Sequence, residues 1–235
     1  MGYDEYYQTK SFFGEPYPEL LAFYARQKPK GALLDLGCGQ GRDALPLARL
    51  GYQVTGVDVS SVGIGQLKEN AEHEGLNLHA VVADIYQYDA FEPFDFILLD
   101  SMFHFTKRDR EKEVKFLKRI FTRAKQGALI TVCIQRVGQK LDTLLQTIEA
   151  SGEVRRHHQV STVYRFKDQA TQHESMTEYE IVTVKKGGAV INKPHKTKYA
   201  PRSLGKIREG QNLLARQKRN RGRANDTASL QFANE

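Results

Sequence analysis

Short apolar runs alternate with amphipathic segments along the first 150 residues of the chain. Runs of about 4 to 8 apolar residues that end at glycine or an acid are typical of buried strands. They predict strands at Ala32–Leu36, Gln53–Val57, Leu78–Val82, Phe94–Leu99 and Ala128–Ile134. The amphipathic segments between them predict helices at Asp43–Leu50, from Ser60 or Ser61 to about Glu74, at Arg110–Arg123 and at Leu141–Ala150.

The pattern changes after Gly152, where two further apolar runs have no helix between them. Val163–Phe166 and Tyr179–Val184 therefore predict an antiparallel hairpin. Strands that alternate with helices predict a parallel sheet covered by helices on both faces. The expected fold class is α/β, with a doubly wound seven-stranded sheet that is mostly parallel and ends in the hairpin.

Basic residues are concentrated at the end of the chain. The 235 residues carry a net charge of +7, yet residues 185–235 hold 13 Lys and Arg against 3 Asp and Glu, so the rest is mildly acidic. This asymmetry predicts a domain over residues 1–186 and a basic tail over residues 187–235. The tail contains one plausible helix, Ser203–Arg219. Either it binds RNA or another polyanion, or it is a solvated extension without a specific partner.

Targeting and redox features are sparse. No apolar run approaches the roughly 20 residues of a membrane span, and the N-terminus is acidic and aromatic rather than signal-like. We expect a cytoplasmic protein with no membrane partner. Cys38 and Cys133 are expected to be reduced, partly buried thiols, and they are too few for a four-cysteine zinc site, so no metal is predicted.

Aspartates stand at the ends of the first four predicted strands. They are Asp35, Asp58, Asp84 and Asp100. In open α/β sheets, ligands bind outside the carboxyl ends of the strands. The sequence therefore predicts a site at this edge of the sheet.

Three glycines, Gly37, Gly39 and Gly41, follow the first strand at alternate positions. Glycine permits positive φ and a close approach of the backbone to a ligand. The dinucleotide-binding fingerprint needs its third glycine one place later, where Arg42 stands. Asp35 would also repel a diphosphate, so a cationic ligand fits better.

The segment LLDLGCGQGRDALPLARLGYQVTGVDVS resembles the first two motifs of the class I S-adenosylmethionine-dependent methyltransferases. The resemblance extends over about Tyr3–Lys186 and is strongest to the small-molecule branch that includes tellurite-resistance and thiopurine methyltransferases. It implies a Rossmann-like fold and S-adenosylmethionine as cofactor.

The resemblance also implies roles for individual residues. Gly37, Gly39 and Gly41 would lie against the methionyl and ribose parts of the cofactor, and Asp35 would orient that turn or accept from the ammonium group. The remaining roles concern the nucleoside: Asp58 would accept from both ribose hydroxyls, Val59 would pack on the adenine, Asp84 would accept from the adenine amine and Ile85 would cover the ring.

The reacting end is expected just after the fourth strand. Asp100 would face the methionyl group or shape the acceptor pocket. His104 would act as a general base or position the acceptor, unless it is a loop histidine packed between aromatic rings. Arg136 is a candidate for an anionic acceptor. Aromatic residues near the N-terminus predict either a lid over the cofactor or a helix packed on the sheet: Tyr3, Tyr6, Tyr7, Phe12, Phe13 and Tyr17.

The sequence thus favours methyl transfer from S-adenosylmethionine to a small molecule. Two alternatives stay open, namely an RNA methyltransferase that holds its substrate with the basic tail and a non-catalytic cofactor-binding regulator. A covalent cytosine mechanism is disfavoured because Val132, not proline, precedes Cys133.

Overall fold

The computed structural model describes residues 3–9, 12–167 and 174–187. The helices are α1 Tyr3–Tyr6, α2 Pro18–Arg26, α3 Ala44–Arg49, α4 Ser61–His73, α5 Arg110–Arg123 and α6 Lys140–Ser151. The strands are β1 Ala32–Leu36, β2 Gln53–Asp58, β3 Leu78–Val82, β4 Phe96–Asp100, β5 Leu129–Gln135, β6 Val154–Lys167 and β7 Glu174–Lys186.

The seven strands form one sheet in the order β3-β2-β1-β4-β5-β7-β6. Neighbours among the first five strands are parallel, whereas β7 runs antiparallel to both β5 and β6. The predicted α/β sheet with its C-terminal hairpin is confirmed. The strand order reverses between β1 and β4, so the carboxyl ends of these two strands flank the cleft where ligands bind in such sheets.

Apolar side chains of the sheet alternate between two buried clusters, one on each face. Leu34 and Ile97 pack with α5 and α6 on one face, whereas Leu33 and Leu98 pack with α2, α3 and α4 on the other. Both faces of β1 and β4 are therefore buried, which explains their continuous apolar sequence.

The hairpin is longer than the sequence indicated. β6 and β7 extend well beyond the predicted Val163–Phe166 and Tyr179–Val184 because their outer segments alternate with exposed polar residues. The fourth strand begins at Phe96 rather than Phe94 and includes Asp100. Helix α2, with a proline at its first position, was not predicted as a separate element.

The described fold continues to Gly187. The buried Lys186 donates from Nζ to the carbonyl of Thr122 at 3.1 Å and pairs with Glu153. The Gly187 amide donates to the Glu153 carbonyl at 2.9 Å. Gly187, which the sequence placed at the start of the tail, is thus bonded to the body. The predicted helix Ser203–Arg219 lies outside the described residues, and in the described part no helix is long and apolar enough to cross a membrane.

Two glycines of α4 provide a matched test of the packing beneath the glycine turn. A Cβ at Gly63 would lie 3.0 Å from the Gly39 carbonyl carbon and 3.0 Å from Cδ2 of Tyr7, whereas a Cβ at Gly65 meets nothing within 4 Å. We expect Gly63→Ala to destabilise the protein by about 1–3 kcal/mol through overpacking. Gly65→Ala should stabilise it by about 0.5–1 kcal/mol through helix propensity. Urea unfolding measures both changes, and a stabilised Gly63→Ala variant would refute the contact.

Candidate functional site

The glycine turn after β1 packs tightly against other parts of the chain. Gly37 and Gly39 have φ of +85° and +50°, in the region that favours glycine. A Cβ at Gly37 would collide with Sδ of Met102, and one at Gly39 would collide with the Tyr7 hydroxyl. The turn therefore tolerates no side chain at either position.

Asp58, the last residue of β2, holds the turn from below. One carboxylate oxygen accepts from the Gly39 amide at 2.9 Å and the other accepts from the Ser60 amide at 2.8 Å. Ser60 in turn caps α4 by accepting from the Gly63 amide at 3.0 Å. Each carboxylate oxygen has a second lone pair, so Asp58 retains capacity for ligand hydroxyls. Burial raises the pKa of Asp58, and the two amide donors oppose that shift.

Two further carboxyls are buried beside the turn. Asp35 is 2% exposed and Asp43 is 6% exposed, and one oxygen of each has no hydrogen-bond partner in the described part of the chain. Burial, followed by the neighbouring Asp43, raises the pKa of Asp35 well above its usual range. Burial also raises the pKa of Asp43, against the effect of Arg42. Buried acceptors without donors favour a cationic group close to this turn.

Arg42, directly after the turn, is the cation among these carboxyls. Its guanidinium bonds to Asp43 at 2.9 Å and also to Asp100, the last residue of β4. It lies over two rings, 5.1 Å from the centroid of Tyr17 and 5.7 Å from that of Tyr164. In the sequence, Arg42 was noted only as a departure from the dinucleotide motif, and its role as the ion-pair partner of these carboxyls was not predicted. Its position between Gly41 and Asp43 is the sequence feature that indicates this role.

Asp100 is more fully engaged than the sequence suggested. Besides Arg42, it accepts from the Ser101 hydroxyl at 2.8 Å and from the Tyr17 hydroxyl at 3.5 Å. Tyr17 precedes α2 and contacts Tyr179 of β7 at a ring-centroid distance of 5.4 Å. The end of β4 is therefore joined to the N-terminal segment and to the hairpin.

The predicted adenine-side residues lie in three different environments. Val59 is 62% exposed, an apolar side chain open to a ligand. Asp84 accepts from the Tyr86 amide at 2.8 Å, which shapes the loop after β3. Ile85 is 6% exposed and belongs to the core cluster under α5. The structure thus buries Ile85 in the same core cluster as Phe91 and Phe116.

The loop after β4 has a strained backbone and a buried anchor. Ser101 and Phe105 have φ of 60° and 46°, which is uncommon for residues other than glycine. Glu113 of α5, only 2% exposed, accepts from the amides of His104 at 3.1 Å and Phe105 at 2.6 Å. Glu113 was not predicted from the sequence, because it is one of several charged residues in the amphipathic helix α5 and nothing in the pattern sets it apart.

His104 itself is exposed. Its neighbours in sequence, Phe103 and Phe105, stack on each other with ring centroids 5.5 Å apart and planes at 7°. Partial desolvation, followed by the charge of Lys140, lowers the pKa of His104. The lowered pKa favours the neutral imidazole, which is the form that can accept a proton. It lies at the predicted edge of the sheet, and its catalytic role stays a prediction.

The N-terminal segment lies across the glycine turn. Asp4 accepts from the Ser60 hydroxyl and from the Val62 amide at 3.3 Å. The Tyr7 carbonyl accepts from the Gln66 side chain at 2.7 Å and from that of Gln40 at 3.3 Å. Residues 3–9 thus contact the glycine turn and the start of α4, and the predicted role of this segment as a lid over the cofactor stays a prediction.

Other candidates lie outside this arrangement. Arg136, the candidate for binding an anionic acceptor, lies 3.7 Å from carboxylate oxygens of Glu178 and Glu180. These two acids compensate the positive charge of Arg136. Cys38 and Cys133 are buried and unpaired, as predicted. In the described ranges, no group of three His, Cys, Asp or Glu side chains has the arrangement of a metal site.

Known proteins are similar to the part of the chain that contains the glycine turn. A family model described as "Methyltransferase domain" matches residues 33–127. A Haemophilus influenzae protein named "Probable S-adenosyl-L-methionine-dependent methyltransferase TehB" is 44% identical over 78 residues, which are 33% of this chain and 27% of that protein. The 2-heptyl-1-hydroxyquinolin-4(1H)-one methyltransferase of Mycobacteroides abscessus is 36% identical over 93 residues, 39% of this chain and 41% of that enzyme.

A solved structure extends the likeness to most of the fold. The crystal structure of TehB from Haemophilus influenzae has a TM-score of 0.59 and 21% identity, and it covers 79% of this chain and 66% of that chain. The chain spans less than half the length of these two curated relatives. The family-model match contains the glycine turn, and the structural likeness shows the fold.

Glu113 provides a test of the loop that carries His104. In Glu113→Gln, the amide NH2 would face one of the two backbone donors that the carboxylate now accepts. We expect a loss of about 1–3 kcal/mol in unfolding free energy because a buried donor is left without a partner. The control Glu111→Gln, on the exposed side of α5, should change it by less than about 0.5 kcal/mol. Equal stability of the two variants in urea would contradict the anchoring role.

Proposed function

We propose that this chain transfers a methyl group from S-adenosylmethionine to a small-molecule acceptor, because residues 33–127 match a methyltransferase-domain model and the similar proteins include an S-adenosylmethionine-dependent methyltransferase. The observation that carries the proposal is the glycine turn held by Asp58, with unpartnered oxygens of Asp35 and Asp43 beside it. When bound, S-adenosylmethionine would supply an activated methyl group: the acceptor would attack the methyl carbon in line, and the carbon–sulfur bond would break so that the thioether S-adenosylhomocysteine leaves.

The residues at the turn fit this cofactor in charge and in shape. Its methionyl part carries an ammonium and a sulfonium, and the turn has three carboxyls near a single guanidinium: Asp35, Asp43, Asp100 and Arg42. We assign the ammonium to Asp35, whose free oxygen needs a donor. Gly37 and Gly39 have no side chains of their own, and the groups that now cover them are the ends of the Met102 and Tyr7 side chains rather than backbone, so a cofactor that displaces these ends can approach the turn closely.

The nucleoside would be held at the ends of β2 and β3. Asp58 has lone pairs left for the ribose hydroxyls, and the exposed Val59 offers an apolar surface to the adenine. Asp84 keeps its assigned role towards the adenine amine. Ile85 would support that loop from the core rather than touch the ring, because it is buried among aromatic side chains.

The acceptor would enter beside the loop after β4. The lowered pKa of His104 favours the neutral imidazole, which can take a proton from an acceptor that must lose one. Asp100, fixed by Arg42 and Tyr17, would shape the pocket next to the methionyl part. An acceptor that is already an anion, such as a thiolate, would need no base, and His104 would then only line the pocket.

Two other functions remain as alternatives. The basic tail favours an RNA substrate as the second candidate, and a regulator without turnover is the third. Full-length protein incubated with labelled cofactor and separate metabolite and RNA pools distinguishes them, because label passes to one pool, to the other or to neither. The cytoplasmic location stays a prediction.

Asp58→Ala tests the cofactor site. The variant removes two charge-assisted hydrogen bonds of roughly 1.5 kcal/mol each, so we expect S-adenosylmethionine affinity to fall about 10²-fold. Isothermal titration calorimetry measures the affinity. Asp142→Ala, an exposed acid in α6, is the control and should bind normally. Undiminished binding by Asp58→Ala would remove Asp58 from the site.

His104→Ala tests the reacting end. If His104 is the base, kcat should fall by roughly 10²–10⁴ while cofactor affinity stays within a few-fold. Protonation below the lowered pKa of His104 abolishes base function, so wild-type kcat/KM should fall on the acid side with a midpoint below the ordinary value of about 6.5.

The same acid limb should be missing in His104→Ala. A variant that keeps both the wild-type rate and the acid limb, with the acceptor found in the screen, would show that another group titrates and that His104 only packs in the loop.

A further inference from the structure

Basic side chains cluster at the edge of the sheet opposite the glycine turn. Lys185 pairs with Leu129, the first residue of β5, and Arg155 pairs with Lys185. Because β5 is parallel to β4, its amino end lies at the edge away from Asp100. We call this cluster the basal stripe, and its members come from α2, the turn after it, β6 and β7: Arg26, Lys28, Arg155, His157, His158 and Lys185.

Aromatic contacts connect the two halves of the basal stripe. The ring of Phe23 in α2 stacks on His158 of β6 with centroids 4.9 Å apart and planes at 13°. Phe23 also meets the His157 ring edge-on at 6.4 Å. This contact brings the C-terminal turn of α2, with Arg26, against β6. The basal stripe therefore includes residues of both α2 and the edge strand β6, which these ring contacts hold together.

Three cations of the basal stripe have no ion-pair partner in residues 3–9, 12–167 and 174–187: Arg26, Arg155 and Lys185. The adjacent Lys186 and Arg156 are paired with Glu153 and Glu149. Desolvation, then Lys185 and Arg155, lowers the pKa of His157, and desolvation, then Arg26, lowers that of His158. Besides burial and the neighbouring imidazole, the groups that lower these pKa values are the same three cations, which indicates a positive local potential.

The sequence adds more basic charge directly after this surface. Residues 188–235 contain 11 Lys and Arg against 3 Asp and Glu, and they follow Lys185 by three positions. An edge strand that carries basic residues also discourages pairing with a second copy, because like charges would face each other. The surface therefore suits a polyanion better than a second β6 strand.

We propose that the basal stripe binds single-stranded RNA and anchors the protein to it, apart from the methyl-transfer site. Lys and Arg would contact phosphates, and the planar guanidinium and imidazole groups would stack on unpaired bases. A membrane surface would call for exposed apolar side chains, and the large exposed ones of the described chain are Val59, Val82, Val137, Val163 and Met176, none of them in the stripe.

Location separates this surface from a substrate groove. RNA on the basal stripe lies at the amino ends of the parallel strands, whereas Asp58 and Asp100 end at the opposite edge. The anchored RNA is therefore a docking partner and need not receive a methyl group. The proposal does not depend on the proposed function, because RNA binding is measured without cofactor.

The test compares two charge-reversed forms of the full-length protein. The first is Arg26→Glu, Arg155→Glu and Lys185→Glu. The matched control is Lys68→Glu, Lys115→Glu and Lys118→Glu, which changes the net charge equally on exposed lysines of α4 and α5. Fluorescence anisotropy with a labelled single strand of about 20 nucleotides covers more than one binding site length. Melting temperature and S-adenosylmethionine affinity verify that each form is folded.

We expect the stripe variant to bind this RNA at least about tenfold more weakly at roughly 0.1 M salt, with the slope of log affinity against log salt reduced by about 2. The control should stay within about threefold. If the glutamate form does not fold, the corresponding three-glutamine form should show the same order of effects.

Three results would overturn the proposal. They are no RNA binding by the wild type, equal weakening in the stripe variant and the control, and tighter binding to duplex DNA of the same length or to vesicles containing phosphatidylserine than to the single strand.

Discussion

The ion pairs of Arg42 with Asp43 and Asp100 are the interaction on which the rest of the site depends. They join the residue after the glycine turn to the end of β4, across 58 positions of sequence. A buried carboxylate without a partner costs several kcal/mol, so loss of Arg42 would leave two acids uncompensated. The same guanidinium also lies over the rings of Tyr17 and Tyr164. It therefore contacts both the N-terminal segment and the β6–β7 hairpin.

Arg42 balances only part of the negative charge of the neighbouring carboxyls, so the site favours a positively charged ligand. Asp35 also belongs to the cluster, and burial with Asp43 beside it raises its pKa. One guanidinium cannot balance three ionised carboxyls, so the cluster either retains a proton or accepts a cation. A diphosphate would add negative charge here and is disfavoured. The charges of this cluster therefore lead to the same conclusion as the absence of the third fingerprint glycine at position 42, namely that a cationic ligand fits better than a diphosphate.

Local sequence patterns predicted the parallel strands, the turn and Asp58 because each depends on residues close in sequence. A continuous apolar run indicates a strand that is buried on both faces, and a positive φ favours glycine. Both features can therefore be recognised in the amino-acid sequence. The pairing of Arg42 with Asp100 and the anchoring of His104 by Glu113 depend on tertiary contacts that no pattern encodes. Ile85 is a different case: a motif position suggested contact with a ligand, and its burial in the core also depends on tertiary packing that the motif does not encode.

The two edges of the sheet have opposite charge, and their separation keeps their proposed ligands apart. A five-residue strand such as β1 spans about 16 Å, roughly twice the Debye length of about 8 Å at physiological salt. Salt therefore screens the part of the field of a bound polyanion that passes through water, whereas the part that passes through the buried strands to Asp35 is screened much less. The proposed cofactor site and the proposed RNA surface lie at opposite ends of the parallel strands, so both ligands can be bound without touching each other.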